Sequence, residues 1–318
     1  MKTLVVGLGN VGTMYGWALS QAGVDITHVV RKGKRKLFEQ GTKLDVLDLR
    51  KGYPQTQQTT YLAKVVEEVS PADGYELVMV PAQGNQLAGA VRQFRDVVPT
   101  TATFLLFGAN WEGPQEIDRL LPRSRYLWGY AAANGGRVND VLYVNMRDDY
   151  RIGKFEGCSE ERLEAVIKLF GRAGLRADLK PNIIEWLWVH YALNCGLIGT
   201  ALYAGGINGL AGDPALMIFA VYAVRDALKI LEKRGVAPAT YEDTKPFLQG
   251  LIDEFAMSYA NSLVNTTYGQ RVMASGHFGG SPEQMRGFYL DVLRTGEQLG
   301  VYTPHLSAMK ARIEALRF

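Results

Sequence analysis

The chain has 318 residues, 47% of them hydrophobic and 21% charged, which excludes a largely disordered polypeptide. Its formal net charge of +3 is spread without long runs, so nothing argues for a nucleic-acid or anionic-membrane partner. Two cysteines (Cys158 and Cys195) and four scattered histidines (His28, His190, His277 and His305) exclude a disulfide framework, CxxC and HExxH motifs and an expected metal site.

In chain order, residues 2–6 form a short β-branched run, followed by a helical pattern over 12–22 that Gly23 ends. The four-residue apolar run at the N-terminus reads as a strand rather than the core of a signal peptide, so a cytoplasmic protein is expected. Strands are predicted at 24–30, 75–80 and 103–107, with helical patterns between them, then at 142–145 and 150–152, with a helix over 160–173. Strand–helix alternation predicts an α/β Rossmann domain with a parallel sheet over residues 1–180. From 181 to 318 the pattern is all-helical, with helices at 182–203, 213–235, 239–265 and 282–300 and a short one after Pro304. The most membrane-like stretch, 186–204, carries His190 and Asn194 near its centre and reads as a buried helix of a globular domain. The long apolar helices of the second domain suggest a homodimer.

Gly7, Leu8, Gly9, Asn10, Val11 and Gly12 fit GxGxxG between a strand and a helix. Gly7 permits the tight turn, Gly9 lets backbone approach a pyrophosphate, and Gly12 lets helix pack on strand. The helix N-terminus then offers unpaired N–H groups to phosphate. After the second strand, where an NAD-binding protein usually places an acid, stands Arg31. A guanidinium suits a 2′-phosphate, so NADPH is the expected cofactor.

These features resemble the ketopantoate reductase (2-dehydropantoate 2-reductase) family. The resemblance is carried by GLGNVG and Arg31, by residues 80–86 (VPAQGNQ), and by Asn110-Trp111-Glu112-Gly113 with Glu116. It continues in residues 188–195 (WVHYALNC), similar to the family's WxKxxxNC, and in residues 299–304 (LGVYTP), similar to its closing GIxxP. The resemblance implies a Rossmann domain followed by a helical substrate and dimerisation domain, and an NADPH-dependent reduction of a small 2-oxo acid. It implies cofactor contacts at Gln83 and Asn110, and substrate contacts at Asn110, Asn194, Asn208 and Ser262. Glu283 matches the family's acid, as a cofactor contact, if a short insertion is allowed; that insertion carries His277, which could bind a substrate carboxylate. His190 stands where the family has its catalytic Lys, Gln83 where it has another Lys, and Ile198 where it has a second Asn.

His190 and Asn194 are four apart and share one helical face, expected to line the cleft beside the nicotinamide. Reduction of a 2-oxo acid needs a proton donor to the developing alkoxide, and histidine can serve with its ordinary pKa of about 6.5. His190 is therefore the expected general acid and Asn194 its partner at the substrate. The alternative is a buried histidine bonded to backbone. Glu283 after Ser281-Pro282 equally fits a plain acid at a helix start, and His277 a surface loop residue. Three readings of function stand. One is reduction of 2-dehydropantoate to pantoate. Another is reduction of a different oxo acid, ketone or imine on the same fold. The third is an inactive NADP(H)-binding sensor.

Overall fold

A computed structural model describes residues 1–82, 84–274 and 282–317. The chain divides into two compact units, Met1–Ile184 and Glu185–Phe318.

In chain order the first unit comprises β1 (Thr3–Val6), α1 (Asn10–Gln21), β2 (Ile26–Val29), β3 (Thr42–Asp48), β4 (Gln55–Tyr61), β5 (Val65–Val66) and β6 (Leu77–Val80). It continues with α2 (Gly84–Phe94), β7 (Thr103–Phe107), α3 (Gln115–Asp118), β8 (Tyr126–Tyr130), β9 (Asn134–Val138), β10 (Val141–Met146), β11 (Asp149–Gly153), α4 (Glu160–Gly171) and β12 (Arg176–Lys180). Eight strands form one sheet in the order β12-β11-β8-β7-β6-β1-β2-β5. The expected parallel sheet is present with one exception: β11 runs antiparallel to β8. The sequences of β6 (LVMV) and β7 (TFLLF) are buried at every position, as in strands covered on both faces.

The helical patterns expected between the second strand and residue 75 are corrected by the structure. That segment supplies β3 and β4, which join β10 and β9 in a second sheet of order β4-β3-β10-β9. Residues Gly12–Leu19 of α1 are buried all round, because α1 packs on β1 and β2 on one side and on β9 and β10 on the other. Tyr15, Phe107, Tyr150 and Phe170 form an aromatic cluster, with the Tyr150 and Phe170 centroids 4.7 Å apart. It ties α1, β7, β11 and α4 together. At the start of α4, Ser159 Oγ accepts from the Arg162 N–H at 3.3 Å, and two acids follow in the first turn.

The second unit is helical, with no strand among its described residues. It holds α5 (Ile183–Tyr203, entering from the first unit), α6 (Ile207–Ala211), α7 (Pro214–Lys233), α8 (Lys245–Leu248), α9 (Ile252–Asn265), α10 (Thr267–Ala274), α11 (Pro282–Gln298) and α12 (Pro304–Glu314). The single helix expected over 239–265 is broken into α8 and α9, with Gly250 at φ +79° between them, a conformation that suits glycine. Asp213 caps α7, accepting from the N–H groups of Ala215 and Leu216, with Pro214 in the first turn. No helix among the described residues is long and apolar enough to cross a membrane.

Candidate functional site

Strand order places β1 between β6 and β2, and the connections leave β1 toward opposite sides. That is the switch point of an open α/β sheet, where ligands bind beyond the carboxyl ends of the strands. The loops there are those after β1, β2, β6 and β7, which run parallel.

The loop after β1 is the glycine motif. Gly7 has φ +86°, a turn conformation costly for any residue with a Cβ. Gly9 is the N-cap of α1, and a Cβ built on it meets nothing within 4 Å, so its outer side is open. A Cβ on Gly12 would meet Pro81 Cγ at 3.1 Å, the Gly7 carbonyl oxygen at 3.2 Å and Val5 Cγ1 at 3.3 Å, so this glycine lets α1 sit against β1 and the loop after β6. No side chain caps the helix, and its first turn holds no acid. The N-terminal N–H groups therefore keep their partial positive charge for an anion. Asn10 Nδ2 is 3.5 Å from the Gly135 carbonyl oxygen, linking the motif to β9.

The loop after β2 carries Arg31, which is exposed and has no ion pair among the described residues. Lys32 beside it pairs weakly with Glu68 at 3.8 Å. Glu67 accepts from the backbone N–H of Arg35 at 2.8 Å. The backbone N–H groups of Arg35, Gly33 and Lys34 hold its carboxyl below the usual range. The basic loop is thus shaped through its backbone, and Arg31 reaches out from it.

After β7, the Asn110 side chain closes its own loop. Its Nδ2 donates to the Gly113 carbonyl at 2.6 Å, and its Oδ1 accepts from the N–H groups of Glu112 at 2.9 Å and Gly113 at 3.3 Å. The expected ligand residue is first a shaper of the loop. The loops after β6 and β7 also press together: a Cβ on Gly108 would lie 2.2 Å from the Ala82 carbonyl oxygen. Gln83 lies outside the described residues.

In the second unit, α5 is buried along most of its length; Glu185, Trp188, Leu202 and Tyr203 are partly covered, and so, nearer its middle, are His190, Asn194 and Leu197. Spaced by four and three, these last three form one face. The His190 ring stacks on Trp186, with centroids 5.1 Å apart and planes 14° from parallel. Trp186 is in turn fixed by its indole N–H, which donates to Asp243 Oδ2 at 2.6 Å. On the covered side, a Cβ on Gly196 would lie 2.4 Å from the Val224 backbone nitrogen, so glycine here lets α7 approach closely. Cys195 is fully buried, and burial pushes its thiol well above its ordinary pKa, which does not suit a nucleophile.

The other expected substrate residues are more scattered. Asn208 is exposed near the start of α6, which packs against α9. Ser262 on α9 is exposed, and its hydroxyl donates to the Tyr259 carbonyl at 2.7 Å. Glu283 is an exposed acid in the first turn of α11, directly after Pro282. His277 lies outside the described residues. The sequence reading missed His28, which touches the glycine turn itself. Its sequence signal is a histidine beside Thr27 in a short strand buried at every position.

Residues 3–157 match the family described as Ketopantoate reductase PanE/ApbA. The 2-dehydropantoate 2-reductase of Pyrococcus horikoshii is 26% identical over 248 residues, covering 74% of this chain and 75% of that protein. The crystal structure of 2-dehydropantoate 2-reductase from Geobacter metallireducens matches with a TM-score of 0.73 at 15% identity, covering 98% of this chain and 99% of the other. D-mandelate dehydrogenase, solved with NADH and anilino(oxo)acetate, matches with a TM-score of 0.72 at 15% identity, covering 99% of this chain and 97% of the other. These two structural likenesses show the shared fold.

Proposed function

We propose that the chain, which matches the ketopantoate reductase family over residues 3–157, is a reductase of that kind and reduces the keto group of a small 2-oxo acid with NADPH. The observation that carries this reading is the glycine turn: Gly9 open on its outer side, on an uncapped helix N-terminus free of acids, at the switch point of the sheet. A dinucleotide pyrophosphate fits that turn.

When bound, the nicotinamide supplies the hydride. The chain's own residues do the rest. The N–H groups at the start of α1 hold the pyrophosphate, and Arg31 pairs with a 2′-phosphate. His190 delivers a ring proton to the carbonyl oxygen as it becomes a hydroxyl, its plane fixed by Trp186. Asn194 donates a hydrogen bond to the substrate. Asn208, Ser262 and Glu283 are candidate contacts of second rank, and Asn110 shapes the loop after β7.

2-Dehydropantoate is the first substrate to try. His190 and Ile198, in place of the family's Lys and Asn, favour testing other 2-oxo acids beside it. The experiment is loss of reduced-nicotinamide absorbance with a panel of 2-oxo acids. Turnover of at least one is expected, and His190→Ala should lower it by about 100-fold or more, with NADPH affinity nearly unchanged. Binding of NADPH without turnover across the panel would point instead to a sensor.

A further inference from the structure

His28 has no part in the chemistry above, yet it is fully buried in β2, at 0% exposure. Its Nδ1 lies 2.9 Å from the Gly7 carbonyl oxygen, and its Nε2 lies 3.0 Å from the Tyr61 hydroxyl. A carbonyl only accepts, so Nδ1 carries the hydrogen, and in the neutral ring Nε2 accepts from Tyr61. Burial lowers the His28 pKa to about 4, against a smaller upward effect of the Gly7 carbonyl, so the ring is neutral near pH 7. The helix makes room for it: a Cβ on Gly16 would lie 2.5 Å from Nε2 and 2.7 Å from Cε1. Glycine inside a helix costs ~1 kcal/mol against alanine, and here the imidazole is the reason.

The peptide after Gly7 is planar and trans, so its N–H points opposite to its carbonyl. A carbonyl held inward by His28 therefore turns the Leu8 N–H to the other side of the turn. We infer that His28, braced by Tyr61 at the end of β4, is a positioning residue that sets the glycine turn for a dinucleotide pyrophosphate. This rests on the NADPH reading and deepens it.

The test uses the full chain and measures the NADPH dissociation constant, with kcat at saturating NADPH alongside. In His28→Asn the amide nitrogen takes the place of Nδ1 and keeps the donor to Gly7. In His28→Gln it takes the place of Nε2 and loses that donor. Affinity is expected to fall about ten-fold in His28→Gln and about three-fold in Tyr61→Phe, and to stay within about three-fold of the parent in His28→Asn. At saturation kcat should change less than about two-fold, because the residue acts on binding rather than on the proton transfer. A folded His28→Gln that binds like the parent, or a His28→Asn as weak as His28→Gln, overturns the inference. Should His28→Gln not fold, an unchanged dissociation constant in Tyr61→Phe overturns it. A parent chain that binds neither NADPH nor NADH refutes the functional reading and the inference with it.

Discussion

Acid should loosen the first unit through His28. Burial lowers its pKa from 6.5 to about 4, so between these values the unfolded chain binds a proton that the folded chain refuses. The stability this neutral ring provides is therefore complete above pH ~6.5 and is lost as pH falls toward ~4. At 1.36 kcal/mol per pKa unit, moving from pH 7 to pH 4.5 removes about 2.5 kcal/mol, a large part of a domain's ~5–15 kcal/mol. The difference between two proteins that differ only at residue 28 is the useful quantity. Urea denaturation of the parent and of His28→Asn, each at both pH values, isolates it. The variant should be less stable at pH 7, and the gap should shrink by about 2.5 kcal/mol at pH 4.5. A gap that stays constant within about 0.5 kcal/mol would show that this imidazole is not held neutral by burial.

Two further outcomes follow from the geometry. Gly196→Ala drives a methyl group to within 2.4 Å of the Val224 backbone nitrogen, so calorimetry should show a loss of about 1–3 kcal/mol and a melting temperature lower by several degrees. Arg31→Ala should weaken NADPH binding about ten-fold or more and leave NADH nearly unchanged, since only the former carries the 2′-phosphate; equal effects on both would remove Arg31 from that role.

The glycine turn was legible because each of its glycines answers a local demand: a positive φ at Gly7, an open side at Gly9 and close packing at Gly12. The face of His190 and Asn194 was legible from helical spacing alone. The second sheet was not. In β4, QTQQTTY has no apolar alternation, because six of its seven residues are not buried and only the pairing with β3 makes it a strand. Asn110 shows a second limit: its position beside the sheet edge was readable, but the turn that engages its side chain depends on three backbone groups within the loop. His28 shows a third, since its partners Gly7 and Tyr61 lie 21 and 33 residues away.

Hydride transfer to a 2-oxo carbon leaves an isotope label that can be read in the product. The full chain would be incubated with a 2-oxo acid and NADPH carrying deuterium on the transferring face of its nicotinamide C4, and the product analysed by mass spectrometry. The expected product is a 2-hydroxy acid with one deuterium on C2, formed at least about 100-fold more slowly by His190→Ala. Bound NADPH with no deuterated hydroxy acid from any member of the panel would contradict hydride transfer.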